Sequence, residues 1–405
     1  MSFAGKQVLL GVSGGIAAYK AAEVVRRLVG EGARVKVVMT AAAREFVQPL
    51  TFEALSGQPV ACRLFGPGTQ PLEHVALGQE VDAVIIAPAT ANLIGKLAAG
   101  LGDDLLTTVM LAATRPVLLC PAMNDRMWDN PVVRENLDRL SARGYQVLPP
   151  ASGDLACGAV GPGRLPEPEL IVEAAARLVT PQDLAGARLV VTAGPTHEDL
   201  DPVRFLTNRS TGKMGYAVAK MARRRGAVVT LVTGPSSLAA PHGVEVVPVR
   251  SAREMLAAVE KHFDAADALI MAAAVGDYRP ESLAETKLKR GKDHLEVSLV
   301  QNPDILKAVA ARKGRRLVVG FAAETGALLA EAGRKLREKN LDLIVANEVN
   351  RPDAGFAADT NEVVLLSRQE PPVALPLMSK EEVADRILDW LAPRLAARRQ
   401  EEPGG

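Results

Sequence analysis

Gln7-Val8-Leu9-Leu10-Gly11-Val12-Ser13-Gly14-Gly15 opens the chain with an apolar run of strand character and a turn of small residues. Ile16 to Val29 follows with Ala21, Val24, Val25 and Leu28 at helical spacing, so the stretch reads strand, glycine turn, helix. Outward from it, Arg34 to Met39, Val81 to Ala87, Pro116 to Cys120 and Gln146 to Leu148 are further strand runs with helical patterns between them. That alternation predicts an α/β fold with a parallel sheet covered on both faces. Ligands of such open sheets lie beyond the carboxyl ends of the strands. Ser13 to Gly15, Thr40 to Ala43, Pro88 to Asn92 and Pro121 to Trp128 fall there.

Glu167 to Leu178 reads as a closing helix, and the aperiodic stretch Thr180 to Gly186 reads as a linker. The plan then restarts. Leu189 to Thr192 is a strand and Tyr216 to Arg225 a helix, followed by strands at Val228 to Val232, Val244 to Val249, Ala268 to Met271, Leu317 to Gly320, Leu343 to Val345 and Val363 to Leu366. We therefore expect two α/β domains, 1–185 and 186–405, without a sequence repeat between them. The polar end, Arg398 to Gly405, is expected to be disordered.

The 405 residues exceed one ordinary core and suit two. Lysine plus arginine total 48 against 47 acidic residues, a net charge of +1, so no global field favours nucleic acid or an anionic membrane and any anion must be held locally. Cys62, Cys120 and Cys157 lack paired spacing, which argues against a disulfide framework or structural zinc and fits a reducing cytoplasm. The opening residues carry no leader pattern and no apolar run is long enough to span a bilayer, so a cytoplasmic protein is expected.

Several segments carry candidate chemistry. Small residues at Ser13, Gly14 and Gly15 let backbone N–H groups approach an anion at a helix start, although a tight turn without ligand has the same composition. Thr40 and the run Pro88-Ala89-Thr90-Ala91-Asn92 add hydroxyl and amide groups at the same sheet edge. In Pro121-Ala122-Met123-Asn124-Asp125-Arg126-Met127-Trp128, Asn124 is placed to donate to a carboxylate. His74 stands in an apolar patch, where a satisfied core histidine is the alternative. Gly153 to Arg164 sets Cys157 among glycines, which excludes a helix or central strand and predicts a loop able to fold over a ligand.

Together Ser13 to Gly15, His74, the Pro121-Ala122-Met123-Asn124 signature and Gly153 to Arg164 with Cys157 resemble the flavin-containing cysteine decarboxylases of the phosphopantothenoylcysteine decarboxylase type, across residues 1 to 178. The resemblance implies a flavodoxin-like or Rossmann-like domain, with FMN on Ser13, Gly14, Gly15, Thr40, Ala89, Thr90 and Asn92. It implies His74 beside the flavin, Asn124 on the substrate carboxylate and Cys157 acting late. Leu165 departs from the family's methionine, a volume-conserving change. A cysteine carboxylate has no electron sink, so temporary oxidation of the thiol to a thioaldehyde provides one, and Cys157 can supply the proton needed when the electrons return. A prenyltransferase-like or dehydrogenase-like flavoprotein, or a non-catalytic flavoprotein regulator, would not need the Asn124 and Cys157 segments together.

The second half carries its own ordered set. Thr192 to Thr196, then Leu200 to Gly215 with Asn208 and Ser210-Thr211-Gly212, reads as a ligand loop entering a helix, or else as a surface connection. Ala272 to Pro280 with Asp277, the charged run Lys287-Leu288-Lys289-Arg290, Asn302-Pro303-Asp304-Ile305, Gly320 to Thr325, and Lys335 with Lys339 follow. This set resembles the bacterial, CTP-using phosphopantothenate-cysteine ligases from residue 186 to about 395. The resemblance implies a Rossmann-like domain in which Met271, Ala272, Ala273, Asp277, Lys287, Pro303, Asp304, Ile305, Leu306, Phe321, Lys335 and Lys339 bind CTP. Asn208 then serves the step that consumes an acyl cytidylate, with Mg2+ carried near Asp277. His197, Asp199 and Gly276 depart from the family pattern. Both halves together imply a bifunctional enzyme of coenzyme A synthesis, with trimeric decarboxylase units and dimeric ligase units. The purified protein is expected to carry FMN, read as flavin absorption bands released on denaturation; a colourless protein that takes up no FMN would sink the decarboxylase resemblance.

Overall fold

A strand buried on both faces must be apolar throughout, and Ala83–Ala89 and Val117–Pro121 are buried at every position. The computed structural model describes residues 3–66, 69, 71–154, 158, 160–289, 295–324, 328–348 and 358–400. Its contacts divide the chain into two units, Met1–Pro181 and Gln182–Gly405.

The first unit runs β1 (Gln7–Val12), α1 (Ala18–Gly30), β2 (Arg34–Met39), α2 (Pro49–Ser56), β3 (Val60–Ala61), α3 (Glu73–Gln79), β4 (Ala83–Ala89), α4 (Ala91–Ala99), α5 (Leu105–Ala112) and β5 (Val117–Pro121). It continues with α6 (Asp125–Trp128), α7 (Pro131–Ala142), β6 (Gln146–Val147), β7 (Ala151–Asp154), β8 (Val160–Arg164) and α8 (Pro168–Val179). Its parallel sheet has the order β3-β2-β1-β4-β5-β6, the order of dinucleotide-binding folds. The sequence showed only five of these strands, because β3 is two residues long; without it the order is that of flavodoxins. Ala21, Val25 and Leu28 of α1 pack with Ile171 and Ala175 of α8 on one face, while Ile94 of α4, Leu106 of α5 and Leu140 of α7 cover the other.

The expected loop from Gly153 to Arg164 is instead a two-stranded antiparallel ribbon, β7 with β8. Standing apart from the main sheet, it tolerates glycine and proline that a central strand would not. Cys157 lies outside the described residues.

The second unit begins with β9 (Arg188–Ala193), β10 (His197–Asp199), β11 (Phe205–Thr207), α9 (Lys213–Arg224), β12 (Val228–Thr233), β13 (Glu245–Pro248), α10 (Ala252–Phe263) and β14 (Ala268–Met271). It continues with β15 (Tyr278–Pro280), β16 (Leu299–Gln301), α11 (Ile305–Ala310), β17 (Leu317–Glu324), α12 (Leu328–Glu338), β18 (Leu343–Glu348), β19 (Thr360–Ser367), β20 (Val373–Ser379) and α13 (Lys380–Gln400). The main sheet is ordered β13-β12-β9-β14-β17-β18-β19-β20. Its first six members are parallel and repeat the strand order of the first unit, whereas β19 and β20 are added antiparallel. The β19–β20 register shifts between Asn361 and Val363, opposite Pro376 and Leu377. β10–β11 and β15–β16 form separate small ribbons.

Helix α13 corrects the expectation of disorder at Arg398 to Gln400, which it keeps helical, while residues 401–405 lie outside the described residues. Val383, Ala384, Ile387, Leu388 and Leu391 recur at helical spacing and are fully buried against α9 and the sheet. Truncating one of them leaves a cavity: Leu388→Ala is expected to cost about 2–5 kcal/mol and Leu388→Met under about 1.5 kcal/mol, read from urea unfolding of the full chain. Equal costs would mean that the helix is not packed as described.

Candidate active sites

In the first unit a cavity of about 1140 Å³ opens at the carboxyl ends of β1 and β4, where the strand order reverses. Ser13, Gly14, Gly15, Thr40, Thr90, Asn92 and Asn124 line it, as do Lys20, Lys96, Arg164 and Leu165. Ser13 is 2% exposed and joins the two strands: its Oγ donates to the Pro88 carbonyl (2.7 Å) and accepts the Thr90 N–H (3.0 Å). Gly14 lies so close to the turn after β2 that a Cβ would stand 2.4 Å from Ala42 Cβ. At Gly15 the nearest atom would be Thr90 Cγ2 at 3.4 Å, an ordinary contact. The turn is thus shaped to bring main-chain N–H groups to the cavity floor at the start of α1.

Asn124 caps α6, its Oδ1 accepting the Arg126 N–H at 2.9 Å, which fixes which end of the amide is the donor end. The ribbon is seated on this segment: Met123 N–H donates to the Gly163 carbonyl (3.0 Å), and a Cβ at Gly163 would stand 2.2 Å from Met123 O. Gly163, at φ +145°, permits that approach. The strands flanking Cys157 therefore rise beside Asn124.

Two expected residues do not line this cavity. Ala89 is fully buried, its carbonyl accepting the Ala122 N–H, and the half-buried His74 stands in the first turn of α3. Of the other cysteines, Cys120 is buried and its thiol is pushed up by burial, as is that of half-buried Cys62 despite the opposing Arg44. Both are protonated packing groups.

The second unit has a cavity of about 550 Å³ at the equivalent reversal, between β9 and β14. A buried hydroxyl again joins the pair: Thr192 Oγ1 accepts the Ala273 N–H (3.1 Å) and donates to Met271 Sδ (3.5 Å). Asn208, Met271, Ala272, Ala273, Asp277, Pro303, Asp304, Ile305, Leu306, Phe321 and Lys339 line the cavity. Asn208 Nδ2 donates to the carbonyls of Ala274 and Val275, both at 3.1 Å, tying the entry loop of α9 to the segment after β14. Asp304 accepts the Lys307 N–H at the start of α11 and pairs with Lys339 at 3.1 Å.

Lys287 and Lys335 are not among the lining residues. Lys287 is exposed, but its neighbour Leu288 is bolted down: its N–H donates to Asp201 Oδ2 (3.1 Å) and its carbonyl accepts Arg204 Nη2 (2.7 Å). Asp201, 1% exposed, also receives the N–H groups of Val203 and Arg204 and both Nε and Nη2 of the Arg204 side chain. Burial opposes its charge, but the guanidinium and these backbone donors prevail and hold its carboxyl below the usual range.

The departures have partners within the chain. His197 stacks on Phe205 at 3.9 Å; burial and Arg250 push its pKa down against Asp199 and Glu198. Asp199 accepts both Nε (3.0 Å) and Nη2 (2.6 Å) of Arg250. At Gly276 a Cβ would approach nothing nearer than 3.4 Å, so alanine fits there too.

Arg209, Lys213, Asn347, Asn361 and Lys380 also line the second cavity and went unread in the sequence as site residues. Lys380 had one signal: it falls on the buried stripe of α13, three and four residues before Val383 and Ala384. Among the described lining residues four cations, Arg209, Lys213, Lys339 and Lys380, face two carboxylates, Asp277 and Asp304. No three His, Cys, Asp or Glu side chains converge among the described residues to hold a metal by themselves.

Two crevices at equivalent strand reversals define a two-site protein of the open-sheet, ligand-binding α/β class. The family model described as Flavoprotein matches residues 2–180, and that of the DNA/pantothenate metabolism flavoprotein C-terminal domain matches residues 184–395. The Coenzyme A biosynthesis bifunctional protein CoaBC of Vibrio cholerae serotype O1 is 49% identical over 391 residues, 96% of this chain and 98% of that protein. The protein of the same name from Bacillus subtilis is 48% identical over 392 residues, covering 96% and 97%. The solved C-terminal domain of a CoaBC protein is 42% identical, with 53% of this chain and 99% of that chain covered and a TM-score of 0.47. The chain belongs to this family of bifunctional coenzyme A biosynthesis proteins.

The glycine turn gives a contrast. Gly14→Ala is expected to lower flavin content of the purified protein at least about tenfold, because its Cβ would displace Ala42, while Gly15→Ala keeps near-normal content. Equal retention by the two variants would show that the turn does not shape the cofactor site.

Proposed function

We propose that the second unit joins cysteine to 4'-phosphopantothenate at the expense of CTP, and that the first decarboxylates the resulting phosphopantothenoylcysteine to 4'-phosphopantetheine with FMN. The observation that carries this reading is the pair of crevices at equivalent strand reversals, one lined by a glycine turn and apolar walls beside Asn124, the other by an excess of cations.

In the first unit the residues present suit FMN. Main-chain N–H groups after Ser13, with Thr40, Thr90 and Asn92, would hold its polar groups, and Ala122 and Met123 would wall the ring. FMN, when bound, supplies a reversible two-electron acceptor that a cysteine carboxylate otherwise lacks. The amide of Asn124, neutral and fixed in orientation, orients the substrate carboxylate without clamping the charge that must leave as carbon dioxide. Cys157, carried between β7 and β8, delivers a proton from its Sγ to the carbon that lost the carboxylate. His74 stands outside the cavity of its own chain, which supports a trimeric arrangement of first units in which another copy supplies it.

In the second unit, an oxygen of the phosphopantothenate carboxylate attacks the α-phosphorus of CTP and pyrophosphate leaves; the cysteine nitrogen then displaces CMP. Ala273 and Asp277 lie on the nucleotide, with Pro303 to Leu306 and Phe321 on its base side. Lys339, on the cavity wall, would meet phosphate oxygens; Lys287 and Lys335 lie outside that lining, and the phosphate contacts read for them rest on the family resemblance alone. Asn208 holds the floor against which the activated acid is consumed. Since no protein cage for a metal exists among the described residues, Mg2+ would arrive on the triphosphate and meet Asp277. No helix of the described residues is long and apolar enough to cross a membrane, which supports a cytoplasmic place.

Lys287→Gln separates the two chemistries. A lysine on a polyphosphate is worth about 1.5–3 kcal/mol, so pyrophosphate release is expected to slow about ten- to hundredfold, with carbon dioxide release from supplied phosphopantothenoylcysteine near normal. Parallel loss of both rates in a folded variant would refute independent sites, and no loss of either would leave Lys287 a surface charge.

A further inference from the structure

Arginine suits phosphate because its planar fork offers two parallel N–H donors to two oxygens at once. Among its described lining residues the first cavity has three cations, Lys20, Lys96 and Arg164. Lys96 is committed elsewhere: its Nζ donates to both oxygens of Asp103 (2.9 and 2.8 Å) and stands 3.7 Å from Asp104. Lys20 and Arg164 instead share a single carboxylate oxygen, Glu167 Oε1, which lies 2.9 Å from Lys20 Nζ and 3.8 Å from Arg164 Nη2. Two cations against one carboxylate leave the cluster positive. The longer separation is beyond hydrogen-bonding distance, so Glu167 does not occupy the guanidinium fork.

Three elements bring the cluster together. Lys20 stands in the first turn of α1, Arg164 ends β8, and Glu167 immediately precedes α8 without capping it. The packing of α1 on α8 sets Lys20 beside Glu167. Arg164 is laid over Gly153 of the facing strand β7, where a Cβ would stand 2.8 Å from its Nη1 and 3.3 Å from its Cδ. The absent side chain at Gly153 is therefore the seat of the guanidinium. The Lys20 side chain is 14% exposed and that of Arg164 41%, so both cations are partly withdrawn from water at the cavity wall. This wall is the one made by α1, β8 and the start of α8, whereas Asn124 belongs to the segment after β5.

We propose that Arg164 and Lys20 form an anion subsite of the first cavity that receives the phosphate monoester of the decarboxylase substrate, and so select the phosphorylated over the unphosphorylated thiol. The inference rests on reading this cavity as the decarboxylase site. A tetrahedral dianion takes two N–H donors from the fork of Arg164 and one from the Lys20 ammonium, and Glu167, with a side chain 54% exposed, yields its share of both to the ligand. The phosphate of FMN has the same chemistry, but the glycine turn and Thr40 offer it a seat of their own, which leaves this cluster to the substrate. Both cations are binding residues, since the bond that breaks is at the carboxylate end of the substrate, on Asn124.

The test uses the full chain loaded with FMN, with carbon dioxide release measured from phosphopantothenoylcysteine and from pantothenoylcysteine in the wild type, Arg164→Gln, Arg164→Lys and Glu167→Gln. In Arg164→Gln the ratio of kcat/KM between the two substrates is expected to fall at least about tenfold, through a rise in KM for the phosphorylated one. Arg164→Lys, which keeps the charge and loses the fork, should recover part of that ratio. Glu167→Gln separates the subsite from a pair that only holds the ribbon: with the competing carboxylate gone, KM for the phosphorylated thiol should stay level or fall. A rise of that KM in step with Arg164→Gln, an equal loss on both substrates, or an unchanged ratio in Arg164→Gln would overturn the subsite. A lowered flavin content of Arg164→Gln with the ratio unchanged would also overturn it, by assigning the cluster to the phosphate of FMN. Should Arg164→Gln fail to fold, the direction of the KM change in Glu167→Gln decides. A wild type that releases carbon dioxide from neither thiol would instead overturn the decarboxylase reading of the cavity itself.

Discussion

A right-handed crossover commits each helix to one face of its sheet, and where the strand order reverses, consecutive helices are committed to opposite faces. The carboxyl ends of β1 and β4 are left uncovered for that reason, and so are those of β9 and β14. Helices α1 and α8 lie on one face of the first sheet with α4, α5 and α7 on the other, and α9 and α13 oppose α10, α11 and α12 across the second. Each gap needs its two strands held together at the point where their helices part. One buried hydroxyl does this in each unit, Ser13 from β1 to Thr90 and Thr192 from β9 to Ala273.

The same scaffold serves two chemistries because the segments after the first strand differ in length. Residues 13–17 make the whole connection from β1 to α1, short enough that its backbone itself becomes the floor of the crevice. Residues 194–212 connect β9 to α9 and include a ribbon of their own, and the side chains of Asn208 and Arg209 reach the crevice from it. That longer connection must be disciplined, and Asp201, Arg204 and the His197–Phe205 stack do so. Asp199 is held by Arg250, which lies outside this connection and fixes it to the turn after β13.

Most of the fold was legible because parallel strands buried on both faces are continuous apolar runs. What escaped had a physical reason in each case. β3 is too short for any period, and β10, β11, β15 and β16 have three residues each and lie off the main sheets. The glycine-rich segment before α8 forms a ribbon because glycine and proline are excluded only from strands that must pair on both edges. At the sites, the Asn124 segment and the Asn302-Pro303-Asp304-Ile305 run could be read from their local order. Lys380 could be found only as a charge on an apolar stripe, since its place in the cavity lining depends on β19 and β20 folding back along the sheet.

That folding back also sets how the second unit behaves in a crowded solution. A sheet whose last strand offers a full row of N–H and C=O groups invites another chain to add to it, and from there to aggregate. β20 carries Pro376, which lacks an N–H, at the place where its register with β19 shifts; β13 at the other border ends in Pro248. In the first unit the two border strands, β3 and β6, are only two residues long. Every border of the two large sheets is thus a poor template for strand addition, so that association between chains is left to side-chain surfaces rather than to the backbone.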